Sequence, residues 1–175
     1  MDKVDNFVTL SGLRDLPGDE AIKRQVKAFC EEAQEFYSAM ARGYKLEMLD
    51  GLADMRFVAE TLYILETGTD SQNIAHFYRY FYKAYEAAQE LSGIDFADVE
   101  IAFNRVEDNN LDKFDSTPEG AHCTLSYYRG EGYPVEQIHK NGYWVTRLTA
   151  DHNGQFAGKV LKRFGFVGVD LKDLV

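Results

Sequence analysis

Two long stretches of helical periodicity meet at Gly43, and that junction constrains the fold more than any other feature of the chain. Ahead of it, Ile22, Val26, Phe29, Ala33, Phe36 and Met40 recur at helical spacing. Behind it, the segment from about Lys45 to Glu66 is apolar on most of its circumference, through Leu46, Leu49, Leu52, Phe57, Val58, Leu62, Ile64 and Leu65. Such a helix belongs at the centre of a core. Gly43 suits the left-handed residue that closes the first helix. Folding back at this glycine brings two acidic stretches together: Glu31-Glu32-Ala33-Gln34-Glu35, and Glu47, Asp50 and Asp54 of EMLDGLAD. Carboxylates that close repel one another and lose hydration unless a divalent cation sits among them.

Helix geometry pairs the two sets by height. At 1.5 Å rise per residue, Glu32 and Glu35 lie roughly 13 to 17 Å from a turn near Gly43, and Asp50 and Asp54 roughly 10 to 16 Å from it. Glu47 lies only about 5 Å from the turn. The matched set is therefore Glu32, Glu35, Asp50 and Asp54, with Glu31 adjacent and Glu47 disfavoured. Hard oxygen donors without His or Cys suit Mg²⁺, with Mn²⁺ as the alternative. Mg²⁺ commonly shares its shell with substrate phosphates, which points to phosphoryl or pyrophosphate chemistry. One carboxylate, Glu32 or Glu35, would then take a proton from attacking water. A di-iron carboxylate bundle needs Glu-x-x-His pairs. No Glu here has His three residues on, and His76, His122, His139 and His152 all lie outside both stretches.

The rest of the chain reads as follows. Residues 1–18 form a lead-in punctuated by Gly12, Pro17 and Gly18, with Asp19 as cap of the first long helix. Thr67-Gly68 stops the second helix. Thr69, Asp70 or Ser71 caps a third, aromatic-rich helix reaching about Leu91, and Asp95 caps a fourth running to Asn109-Asn110. Beyond Lys113 three alternating segments follow: CTLSYY, VEQIH and YWVTRL. Asn141-Gly142 between the last two is a hairpin signal. The expected architecture is mainly α, a single domain over 1–175, with a helical core at 19–113 and a small β-hairpin and tail extension at 114–175.

Composition narrows the function. A net charge of −10 excludes direct nucleic-acid binding, since the phosphate backbone rewards basic surfaces. No run of about 18 apolar residues predicts a membrane helix. No basic-then-apolar leader opens the chain, and the two cysteines, Cys30 and Cys123, lack paired spacing. The expected setting is the cytoplasm.

At the acidic residues the chain resembles the MazG-like nucleoside triphosphate pyrophosphohydrolases, an all-α group that also includes dimeric dUTPases and phosphoribosyl-ATP pyrophosphohydrolase. EEAQE followed by GLADMRFV is similar to the family's two glutamates, third glutamate and Glu-x-x-Asp. GIDFADVEIAFNRVEDNNLDK resembles its next block, which implies that Asn110 and Lys113 approach a nucleotide. GKVLKRFGFVGVDL resembles a family ending and points at Lys159, Lys162 and Phe166. Aligned by the apolar run after Asp54, Gly51 stands where the family has Glu. Asp50 from one residue away, or Glu47 in the alternative register Glu47-Met48-Leu49-Asp50, would fill that role. An additional helix at 69–91 and a hairpin between Lys113 and Lys159 also depart from shorter members.

The resemblance implies a four-helix core of the all-α NTP pyrophosphatase type, assembled as a homodimer or homotetramer. The implied reaction converts a (d)NTP and water to (d)NMP and pyrophosphate, in nucleotide-pool sanitation or a dUTPase-like role. Glu31, Glu32, Glu35, Asp50 and Asp54 would hold Mg²⁺, and Asn110, Lys113, Lys159 and Lys162 would contact the nucleotide. Two rival readings are a non-catalytic acidic protein that mimics DNA, and a degenerate relative that binds nucleotide without hydrolysing it.

Overall fold

The computed structural model describes residues 2–67 and 74–175, with Ile74 described by its backbone only. Among the described residues it is mainly helical, with six α-helices and one two-stranded antiparallel sheet. In chain order these are α1 (Lys3–Leu10), α2 (Gly18–Arg42), α3 (Lys45–Glu66), α4 (Ile74–Ser92), α5 (Phe96–Leu111), α6 (Pro118–Gly130), β1 (Val135–Lys140) and β2 (Tyr143–Leu148). The chain divides into two compact units: Arg14–Asp108 with Val169–Val175, and Met1–Leu13 with Asn109–Gly168.

The first unit is helical. Gly43 adopts φ +71°, and the Tyr44 amide reaches back to the Ala39 carbonyl at 3.0 Å, so the last turn of α2 is closed by a left-handed cap. With only Gly43 and Tyr44 between them, α2 and α3 form an antiparallel helical hairpin and pack along their length. Helix α3 buries Met48, Leu49, Leu52, Ala53, Met55, Phe57, Val58, Ala59 and Leu62, and α4 also packs on it. Each such large aliphatic side chain contributes roughly 1.5–3 kcal/mol through burial. Phe29 of α2 meets Phe77 of α4 edge-on, ring centres 5.1 Å apart. The Arg56 guanidinium lies 4.0 Å over the Phe103 ring of α5 and pairs with Glu60 and Glu100. The C-terminal segment returns to this unit: Arg105 grips Asp173 with two bonds of 2.6 and 2.7 Å, and Leu171 is buried.

The second unit carries the sheet. Asn141 and Gly142 have φ of +51° and +81°, the left-handed pair that a type I′ turn requires, and they join β1 to β2 in register from Val135↔Leu148 to Lys140↔Tyr143. One apolar cluster gathers Leu10, Phe114 and Val145, and another Val135, Leu148 and Leu161. The Asn141 side-chain amide donates to Asn6 Oδ1 at 3.2 Å, tying the turn to α1.

Three sequence expectations change. The lead-in at 1–18 contains α1, whose Asp2 carboxylate accepts from the Val4 and Asp5 amides at 2.9 and 3.2 Å. CTLSYY is not a strand; it lies inside α6, where Ala121, Thr124, Leu125 and Tyr128 recur at helical spacing as the inward face. Thr117 caps that helix and Pro118 opens it, a strong start signal. Helix α2 begins at Gly18 with Pro17 at the cap position, so Asp19 lies within the first turn, where its charge still suits the helix dipole. Asp95 does cap α5, accepting from the Ala97 amide at 3.2 Å. The expected stop at Gly68 and the caps at Thr69, Asp70 or Ser71 lie outside the described residues.

Candidate metal centre

The hairpin of α2 and α3 is drawn tight at one glycine. A β-carbon on Gly51 would lie 3.0 Å from Phe36 Cβ and 3.2 Å from its Cα, tighter than most packed contacts, so Phe36 would have to give way by a few tenths of an ångström. Gly51 therefore lets the two backbones approach, and this explains the one position in the second acidic stretch that carries no side chain. On one side of this contact a cleft of about 460 Å³ opens, and Glu31, Glu35, Glu47, Asp50 and Asp54 all line it. Ser38, Gln34 and Arg42 complete its α2 wall.

Azimuth, more than height, selects these residues. On α2 the lining positions 31, 35, 38 and 42 recur every three or four residues and form one stripe. Glu32 is rotated about 100° from Glu31. It is half-buried and is not among the residues that line the cleft. On α3, Glu47, Asp50, Gly51 and Asp54 share a face, so Glu47 enters despite its nearness to the turn. Arg42 was missed altogether; its position one stripe-step beyond Ser38 is the signal that finds it.

Asp50 is the most strained member. It is half-buried, and its Oδ1 is shielded from solvent with no hydrogen-bond partner among the described residues. Burial pushes its carboxyl above the ordinary carboxylate range, and the neighbouring charges of Glu35 and then Glu47 push it further. Two ion pairs relieve other members. Arg42 Nη2 donates to Glu47 Oε2 at 2.6 Å, and Lys27 lies 3.4 Å from Glu31 with both side chains largely exposed. The exposed pair contributes little.

The donor chemistry fits a hard divalent cation: five carboxylates on one cleft and one orphaned buried oxygen. The donors are gathered without being converged. Among the described residues, no three His, Cys, Asp or Glu side chains stand close enough together to hold a metal ion as they are placed. His139 and His152 stack on Trp144 and Tyr133, and His76 and His122 are exposed. Cys30 and Cys123 are both free and exposed.

The other expected site residues, Asn110, Lys113, Lys159 and Lys162, belong to the second unit. Asn110 is buried and its Oδ1 accepts from Lys113 Nζ, so these two act as a pair. Lys159 is half-buried and its carbonyl accepts from the Leu148 amide at 3.0 Å. The Lys162 ammonium lies 4.7 Å over the Phe166 ring, beside a shallow pocket of about 470 Å³ that Tyr127 and Phe164 also line. Among the described residues no helix is long and apolar enough to cross a membrane. No family model, curated protein or solved structure matches the chain.

Proposed function

We propose that the cleft between α2 and α3 binds Mg²⁺ and that the protein is a nucleotide pyrophosphohydrolase with a four-helix core of the all-α NTP pyrophosphatase type. The observation that carries this reading is Asp50: a half-buried carboxylate with an orphaned oxygen, facing the charges of Glu35 and Glu47. An unpaired buried acceptor costs about 1–3 kcal/mol. A hard cation supplies the missing partner for several carboxylates at once.

Glu31, Glu35, Glu47, Asp50 and Asp54 are the residues that would hold the ion; Mn²⁺ suits the same oxygens. Bound there, the ion would screen the triphosphate and polarise its α-phosphoryl group. The chain's own part is positional and acid–base. The α2–α3 hairpin fixes the carboxylates on two rigid rods. Glu35, exposed on the α2 stripe, takes the proton of the attacking water as its oxygen bonds to the α-phosphorus. The bond from the α-phosphorus to the α–β bridging oxygen breaks; the water oxygen stays on the monophosphate and the bridging oxygen leaves with pyrophosphate. Asn110, Lys113, Lys159 and Lys162 are proposed as nucleotide contacts on the strength of the sequence resemblance. Exposed tyrosines on three helices of this unit, Tyr37, Tyr63, Tyr80 and Tyr82, support self-association as a dimer or tetramer.

A panel of NTPs and dNTPs with Mg²⁺, read by pyrophosphate release, tests the activity. Glu35→Gln and Asp54→Asn should each lower turnover by about 10²-fold or more while the helical signal stays intact. Undiminished turnover in both variants rules the assignment out. The splayed carboxylates favour one alternative, an acidic protein whose cleft binds no metal and catalyses nothing. A magnesium titration that leaves the melting temperature unmoved selects it.

A further inference from the structure

Asn-Gly occurs twice in the chain, at 141–142 and 153–154, and both pairs are solvent-exposed corners. Their backbones are alike and left-handed, with φ of +51° and +81° in the first and +48° and +75° in the second. In this dipeptide the following amide nitrogen can reach the asparagine side-chain carbon, because glycine has no Cβ to obstruct the approach. What separates the two corners is their anchoring. The 141–142 corner closes a ladder running from Val135↔Leu148 to Lys140↔Tyr143, and the Asn141 side-chain amide donates to Asn6 Oδ1 at 3.2 Å. The 153–154 corner closes a single bridge, in which His152 and Gln155 exchange two bonds of 2.9 Å. Among the described residues neither the Asn153 side chain nor the Gly154 amide has a hydrogen-bond partner.

We propose that Asn153 is a self-modification site, converted to aspartate and isoaspartate while Asn141 is held back. The Gly154 nitrogen gives its proton to solvent base and bonds to Asn153 Cγ, and the side-chain nitrogen leaves as ammonia. Water then adds to the cyclic imide and breaks one or other of its ring C–N bonds, so water is the only co-reactant. Each corner must open locally before its ring can close, and the corner with fewer ties opens more often. The product places a carboxylate in residues 152–169, a stretch that otherwise has Lys159, Lys162 and Arg163 and no acidic residue. Isoaspartate also lengthens the backbone by one carbon at the tightest point of the turn. That breaks the His152–Gln155 pairing and releases the His152 ring from Tyr133, whose centre lies 4.4 Å away.

The test is to hold the full chain in mildly alkaline buffer and follow its tryptic peptides by mass. Cleavage after Lys140, Arg147 and Lys159 puts the two pairs in separate peptides, each read by the mass gain of amide-to-acid conversion. In the folded protein Asn153 should convert at least about fivefold faster than Asn141, the factor that one net hydrogen bond is worth. In concentrated urea the two rates should converge, because the shared dipeptide is then all that sets them. Asn6→Ala removes the acceptor and should speed Asn141 by about fivefold, with Asn153 in the same sample unmoved. Equal rates in the folded chain, or Asn141 converting first, would overturn the proposal. So would an Asn153 that converts in urea and stays intact in the folded chain. An unchanged Asn141 rate in Asn6→Ala would show that the tether does not protect it, and the stated cause of the difference would fall.

Discussion

At position 51 the missing side chain sets how near α2 and α3 can lie. Gly51→Ala places a methyl group 3.0 Å from Phe36 Cβ and against its backbone, which cannot swing aside as a side-chain tip would. Overpacking of this kind costs roughly 1–3 kcal/mol, and urea denaturation should show that loss even though alanine favours helix. One step away, Asp50 works against the apo fold. Its carboxyl is raised in the folded state, so the unfolded chain ionises it first. The penalty is therefore absent at pH well below 3.8 and grows as pH rises through the folded value. Asp50→Asn should raise the melting temperature at neutral pH without Mg²⁺, flatten the decline in stability between acid and neutral pH, and lose the stabilisation that Mg²⁺ gives the wild type. A variant that melts lower than wild type at neutral pH would contradict this account.

At the scale of elements, α6 shows what a short pattern can and cannot say. Thr117 Oγ1 accepts from the Gly120 amide at 3.1 Å, and Thr117→Ala should cost about 1 kcal/mol, seen as a lower denaturation midpoint with an unchanged slope. Six residues, CTLSYY, alternate well enough to read as a strand. The cap-and-proline pair five to six residues earlier decides for helix, because it satisfies amides that a strand would spend on a ladder. Longer patterns were legible. The α2–α3 hairpin follows from Gly43 and two unbroken apolar stripes, and the β1–β2 register from Asn141-Gly142, whose left-handed angles few other pairs accept. The acidic cleft was legible as a meeting of two stretches. Its membership was not, because height along a helix is set by residue count while the facing direction depends on how the rods roll against each other at Gly51. That roll puts Glu47 and Arg42 on the cleft wall and leaves Glu32 off it.

Across the whole molecule, each compact unit is built from two separate stretches of chain. The helical unit recovers its last residues from the far end of the sequence, with Leu171 buried and Arg105 bound to Asp170 and Asp173. Leu171→Ala should therefore destabilise the helical unit by roughly 2–5 kcal/mol, and hydrogen exchange should show faster opening in α5. The Arg105 hydrogen bond holds Asp173 down at about 2. Its contribution is present above the unfolded carboxylate value and is lost as pH falls through about 2, so this tie should survive mild acid. The two exposed thiols, Cys30 on α2 and Cys123 on α6, fall one in each unit. The native chain thus comes with a labelling handle on either part. A donor and an acceptor dye attached there would follow each half by its own colour, without a single engineered residue.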